Sequence, residues 1–167
     1  MHDGVDECPL FVYQGVNNMS ITKDRIEALI ANALESYNAV MIHAQISGNP
    51  RKPMVQLFID CKDEPMTINK CATIARDIRD VLSLQDDVPR DYRLEVSSPG
   101  IDWPLSELWQ FKKNIGRRVR FSIDDKEVTG SILGVSADSI IDIEIQDSVK
   151  EFKLESLIGS YVVVGMK

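Results

Sequence analysis

Apolar residues recur along this chain with two different spacings, and the order in which those spacings alternate restricts its fold more than any other feature. Ile26, Leu29, Ile30, Ala33 and Leu34 follow the i, i+3, i+4 rhythm that gathers side chains on one helical face, with Ser20 placed to cap the helix. From Tyr37 to Ile46 the rhythm changes to alternation, with Val40, Ile42, Ala44 and Ile46 on one side and Met41, His43 and Gln45 on the other. Ser47-Gly48-Asn49-Pro50 reads as a turn into a second strand, Met54 to Cys61, with Val55, Leu57 and Ile59 inward. Thr67 caps a second expected helix striped by Cys71, Ile74, Ala75, Ile78 and Leu82. Tyr92 to Ser97 then alternates, with Leu94 and Val96 inward. Two single-striped helices and three strands predict a two-layer α/β domain over residues 1–98, whose second sheet face (His43, Gln45, Gln56, Phe58, Arg93, Glu95, Ser97) is solvated. Residues 1–19 show no clear period and read as a tail or a first edge strand.

Residues 99–116 read as a linker and a short helix, capped by Ser106 and ended near Asn114 or Gly116. Pro99-Gly100 has the chemistry of a type II turn, because proline presets the first central position and glycine accepts the positive φ of the second. Over residues 117–167 the pattern is all-β. Short alternating runs at Arg118–Ile123, Glu127–Val135, Ser139–Ile145, Lys150–Leu154 and Tyr161–Val164 are separated by Asp124-Asp125, Ser136-Ala137-Asp138 and further turns. Gly130 and Gly134 inside one run suggest sharp bending, and the expected architecture is a small β-barrel. The fold class is therefore α+β. So short a barrel is expected to be the less stable domain.

Charge and composition narrow the function. The chain carries 26 acidic and 19 basic residues, a net charge of −7, which argues against a free-standing nucleic-acid binder and favours a basic protein partner or RNA contact through a local patch. One such patch stands out: Lys112, Lys113, Arg117, Arg118 and Arg120, beside Trp109 and Phe111, suited to phosphates. Cys8, Cys61 and Cys71 are too few and wrongly spaced for a disulfide framework and read as reduced, mostly buried thiols. The histidines, His2 and His43, have no partner at ligand spacing, so no metal is expected. Phosphate-loop and dinucleotide motifs are missing from the sequence, so no cofactor is expected. The carboxylates Asp60, Asp63 and Glu64, and the pair Asp86 and Asp87, read as solvated turns rather than an acid–base or magnesium site. The acidic start and the lack of an apolar run of about 18 residues point to a cytoplasmic protein with no membrane span.

The densest unusual string is Leu94-Glu95-Val96-Ser97-Ser98-Pro99-Gly100-Ile101-Asp102-Trp103-Pro104-Leu105. It resembles the LEVSSPGxDRPL signature of the ribosome maturation factor RimP family. Leu57 to Ile78 likewise resembles that family's strand, acidic turn and cysteine-bearing helix. The resemblance covers roughly residues 20–165. It implies an α/β domain followed by an SH3- or Sm-like barrel, no catalysis, and transient binding of the immature small ribosomal subunit. It further implies that the barrel contacts a basic small-subunit ribosomal protein, with rRNA as a possible second partner and a monomer as the expected state. Carried over by position, the candidate binding residues are Glu95, Ser97, Ser98, Pro99, Gly100, Asp102, Trp103 and Pro104, with Leu94 and Val96 as core. Asp102 is expected to fix the linker by capping backbone N–H groups. Two positions depart from the family pattern. Trp103 stands where arginine is usual, so that any phosphate contact made by that arginine is either lost here or replaced by stacking, and Lys62-Asp63-Glu64-Pro65 lacks the usual glycine. A barrel-based protein- or peptide-binding adaptor without a ribosome role is the alternative reading.

Overall fold

The structure, a computed structural model, describes residues 21–164. The expected tail over 1–19, the Ser20 cap, His2 and Cys8 lie outside the described residues. The described residues form two compact units, 21–59 with 67–97 and 60–66 with 98–164.

In the first unit, α1 (Lys23–Glu35) starts at Thr22, whose hydroxyl accepts from the Arg25 N–H at 3.3 Å. Thr22 therefore satisfies a first-turn donor. Ile26, Ile30 and Leu34 are buried along one stripe, with Leu29 and Ala33 half-buried beside them. The second helix, α2 (Ile68–Ser83), is capped by Thr67, which accepts from Lys70 N–H at 3.2 Å, and it buries Ile74, Ile78 and Leu82. The two helices pack against each other, α1 also against β1 (Ala39–Asn49) and α2 against β3 (Arg93–Ser97). The sheet order is β1-β2-β3, with β2 (Lys52–Cys61) central. Only Pro50 and Arg51 link β1 to β2, a connection short enough for antiparallel neighbours alone. The turn thus comes after Asn49 instead of beginning at Ser47. β2 and β3 run parallel, which requires the α2 crossover, and register Val55 against Leu94 and Leu57 against Val96.

Position in the sheet sets how deep each stripe goes. Central β2 buries Pro53, Val55, Leu57 and Ile59. On edge strand β1 only Ala44 of the expected stripe is fully buried. On edge strand β3 Leu94 and Val96 are half-buried, not core. The opposite sheet face is also less solvated than its composition suggests. His43, Gln56, Phe58 and Glu95 are half-buried; Gln56 donates to Glu95 at 3.0 Å, and the His43 and Phe58 rings lie 6.2 Å apart. Two side-chain pairs bind distant segments together: Arg25 donates to Asp87 at 2.8 Å, and the Tyr37 hydroxyl donates to Asp77.

The second unit contains α3 (Leu108–Lys113) and five strands in the order β7-β6-β5-β4-β8. These are β4 (Arg118–Ile123), β5 (Lys126–Val135), β6 (Ile140–Ile145), β7 (Ser148–Lys153) and β8 (Tyr161–Val163), with a one-turn helix α4 (Leu154–Leu157) between the last two. All recorded pairings are antiparallel. Two-residue turns at Asp124-Asp125 (φ 49° and 62°) and Gln146-Asp147 (φ 50° and 63°) have the left-handed geometry of type I′ hairpins; only the first is apparent in the sequence. Among the described residues these strands form one five-stranded antiparallel sheet with β7 and β8 at its two ends, and no pairing joins the two. Strand β8, at three residues, is short, and the chain reaches it through a Leu105–Ser160 bridge.

The core of this unit lies on the sheet's inner face. Val119, Phe121, Ile132, Ile141, Ile143 and Val162 pack with Phe111, Leu105 and Leu157. Each fully buried large side chain there contributes about 1.5–3 kcal/mol. Phe121 meets the half-buried Phe152 edge-on, with ring centroids 5.3 Å apart. Gly134 marks a register shift between Ile132 and Gly134, which accounts for the bending expected there. Gly130 has a different cause: a Cβ at that position would lie 2.8 Å from the Glu144 carbonyl oxygen and 3.0 Å from the Ile145 side chain. The strands approach too closely for any side chain.

Candidate functional site

The signature string enters the second unit as a turn. Gly100 has φ +66°, the left-handed conformation that the second central position of a type II turn demands. Ser98, Pro99, Gly100, Ile101 and Trp103 then line one side of a pocket of about 210 Å³. Its other walls come from Asp60, Pro65 and Met66 of the acidic turn, from Gln110, Lys113 and Asn114 of α3 and its end, and from Arg117.

Helix α3 is positioned by its own N-terminus. Glu107, not Ser106, is the N-cap residue, and the Gln110 side-chain oxygen accepts from Ser106 N–H at 2.7 Å and Glu107 N–H at 2.8 Å. Gln110 is buried, 6% exposed, although it is polar. Phe111 anchors the helix to the core, so it is fully buried and cannot be part of a basic surface patch. Lys113 donates to the Asp60 carboxylate and, at 2.9 Å, to the Cys61 carbonyl; the Lys113 and Asp60 side chains are 19% and 18% exposed. The half-buried Asp60 is thus held in an ion pair and is not a free carboxylate beside Asp63 and Glu64. Asn114 donates to the Gln110 carbonyl at 2.8 Å and accepts from the Arg117 guanidinium at 3.5 Å.

The remaining candidates separate. Glu95 and Ser97 belong to β3 of the first unit, where Glu95 accepts from Gln56 and faces Arg93 at 3.4 Å. Pro104 is half-buried, immediately before buried Leu105. Asp102 is exposed, lines a second groove with Arg120 and Tyr161, and makes no hydrogen bond among the described residues; the expected cap is not formed. Within the basic cluster, Lys112 is exposed on α3, and Arg118 and Arg120 point from β4 to the face opposite Val119 and Phe121. Arg120 stands 5.8 Å from the Tyr161 ring centroid and 3.8 Å from the Glu127 carboxylate. Arg118 lines a further groove with Ile101, Gly116, Arg117 and Val162 to Val164.

Gln110, Asn114 and Tyr161 were not apparent as site residues from the sequence. Gln110 left one signal, its position three residues after Glu107, the spacing of a capping box. Tyr161 left none, because its meeting with Arg120 depends on the β4–β8 pairing.

What this fold and site define is a two-unit α+β protein with a cationic, aromatic-walled pocket in the second unit. Residues 29–102 match the model of the RimP N-terminal domain. The matched span runs from within α1 to Asp102, inside the signature string.

Proposed function

We propose that this protein is a ribosome maturation factor that binds the immature small ribosomal subunit. The observation that carries this reading is the RimP N-terminal domain match, which ends within the Leu94–Leu105 string. The five-stranded antiparallel sheet of the second unit fits an SH3- or Sm-like module, and the chain's net charge of −7 suits a basic small-subunit ribosomal protein. The protein acts in the cytoplasm by binding energy alone, holding a nascent region until that ribosomal protein docks, and performs no reaction. Glu95, Ser97 and Ser98 are candidate contacts on the first unit and its boundary. Lys112, Arg117, Arg118 and Arg120 are candidate contacts to rRNA phosphate. No helix among the described residues is long and apolar enough to cross a membrane.

The test is sedimentation of a cell lysate through a sucrose gradient, with each fraction probed for this protein. Enrichment with free small subunits and depletion from translating ribosomes is the expected result. Recovery only at the top of the gradient, even after gentle crosslinking, overturns the reading.

A further inference from the structure

The Gln110 pocket holds one group whose hydrogen-bonding capacity is unused. The side-chain oxygen of Gln110 is identified unambiguously, because it accepts from two backbone N–H groups. Its Nε2 must therefore be the donor end, and that nitrogen has no acceptor among the described residues. Yet no buried side-chain nitrogen or oxygen there lacks a partner, so Nε2 must reach accessible surface. Gln110 is only 6% exposed and lines the pocket, so the accessible surface it reaches is the pocket. A donor held in place from behind by two hydrogen bonds, in a nearly buried residue, is pre-organised to meet an acceptor.

The walls say what kind of group brings that acceptor. Trp103, Pro65, Pro99 and Ile101 supply flat or apolar surface, and Arg117 stands at the same pocket as an exposed cation. The volume, about 210 Å³, is below the roughly 300–1,000 Å³ of sites that enclose a whole drug-sized ligand. It suits one planar group that projects from something larger. Arg117, Ile101 and Val162 are shared with the adjoining groove that Arg118 lines, so the cations continue away from the pocket. Between Leu108 and Ile123 the chain has five basic residues and no acidic one, although its net charge is −7. A planar group with acceptor atoms, attached to a polyanion, is an unpaired nucleotide in a single RNA strand.

We propose that the pocket takes one unstacked base of a single-stranded RNA segment, with a base acceptor on Gln110 Nε2, the ring against Trp103, and the flanking phosphates on Arg117 and Arg118. This deepens the ribosome-binding reading and rests on it for the source of the RNA. It also gives the overall acidic chain a local means of touching rRNA.

The test titrates the full chain with a short single-stranded RNA, a duplex of the same length, and inorganic phosphate, following tryptophan fluorescence and, in parallel, filter binding. The single strand is expected to bind more tightly than the duplex and to quench the tryptophan signal. Gln110→Glu keeps the acceptor oxygen that organises α3 but replaces the donor with an anion. It should melt near the wild-type temperature and bind the single strand about tenfold more weakly or worse. Arg117→Glu, at an exposed position, should weaken binding and flatten its salt dependence, and serves if Gln110→Glu does not fold. Equal affinity for duplex and single strand, or undiminished binding by the folded variants, overturns the proposal. The two readings fail separately. Variants that bind subunits but show no RNA defect remove the pocket alone. A wild-type protein that binds single-stranded RNA but never sediments with small subunits removes the maturation-factor reading alone.

Discussion

Replacing Gly130 by alanine isolates one steric fact about the second unit. The added methyl would sit 2.8 Å from the Glu144 carbonyl oxygen and 3.0 Å from the Ile145 side chain. A side-chain tip can rotate away, but Glu144 belongs to β6, which pairs with β5 on one side and β7 on the other, so its carbonyl cannot retreat without disturbing two ladders. Overpacking a close-packed interior costs about 1–3 kcal/mol. The alanine also restricts the unfolded chain, which offsets roughly 0.4–1 kcal/mol of that cost. A net loss of about 1–2 kcal/mol remains, equivalent to a melting point lower by roughly 4–16 °C for a unit of this size. Both tryptophans, Trp103 and Trp109, lie in the second unit, so a fluorescence melt reports on it selectively. Gly134→Ala is the internal control. Its Cβ would meet only the Asp142 carboxylate at 3.5 Å, an ordinary contact, and the melt should move little. If Gly130→Ala melts at or above the wild-type temperature, or no lower than Gly134→Ala, the close approach of β5 and β6 is not what requires glycine.

Other perturbations test other parts of the molecule. A double-mutant cycle with Lys113→Met and Asp60→Leu should give a coupling of about 1–3 kcal/mol, because either single change leaves a mostly buried charge unpaired; additive losses would deny the ion pair a role. The hydrogen bond from Arg25, then the nearby positive charge, holds Asp87 below the usual carboxylate range. Its contribution is therefore present above the ordinary carboxylate pKa and is lost as pH falls through the lowered one. Asp87→Asn should flatten the acid limb of the stability–pH curve, by a small, salt-sensitive amount because both side chains are exposed; acid unfolding identical to wild type counts against this. Tyr37 shows the opposite sign. Its hydrogen bond to Asp77 raises the hydroxyl above its ordinary range, so its contribution holds below the ordinary tyrosine pKa and disappears as pH rises through the raised one. Tyr37→Phe should lower stability at neutral pH and lose less further stability than wild type on alkaline titration, which chemical denaturation at several pH values checks. Glu95→Ala with Ser97→Ala should fold normally yet sediment less with small subunits, and unchanged sedimentation would remove β3 from the interface.

Local rules carried much of this fold. The helix stripes of α1 and α2, the Thr67 cap, the Asp124-Asp125 hairpin and the alternation of β4 and β6 depend on neighbours within a few residues, and these features were legible in the amino-acid order. So were the Pro99-Gly100 turn and the signature string whose family the domain match supports. Tertiary structure decided what depends on partners distant in sequence. Alternation marks Leu94 and Val96 as inward, but only the strand order makes β3 an edge and leaves them half-buried. Composition groups Phe111 with the cations around it, but packing puts its ring in the core. The carboxylates of the acidic turn look alike until Lys113 arrives from 53 residues away to bind Asp60. The pocket itself, with the unused Gln110 donor aimed into it, exists only because the acidic turn, the signature string and α3 meet in one unit. A single sequence records spacing along the chain, and a site of this kind is made by proximity through space.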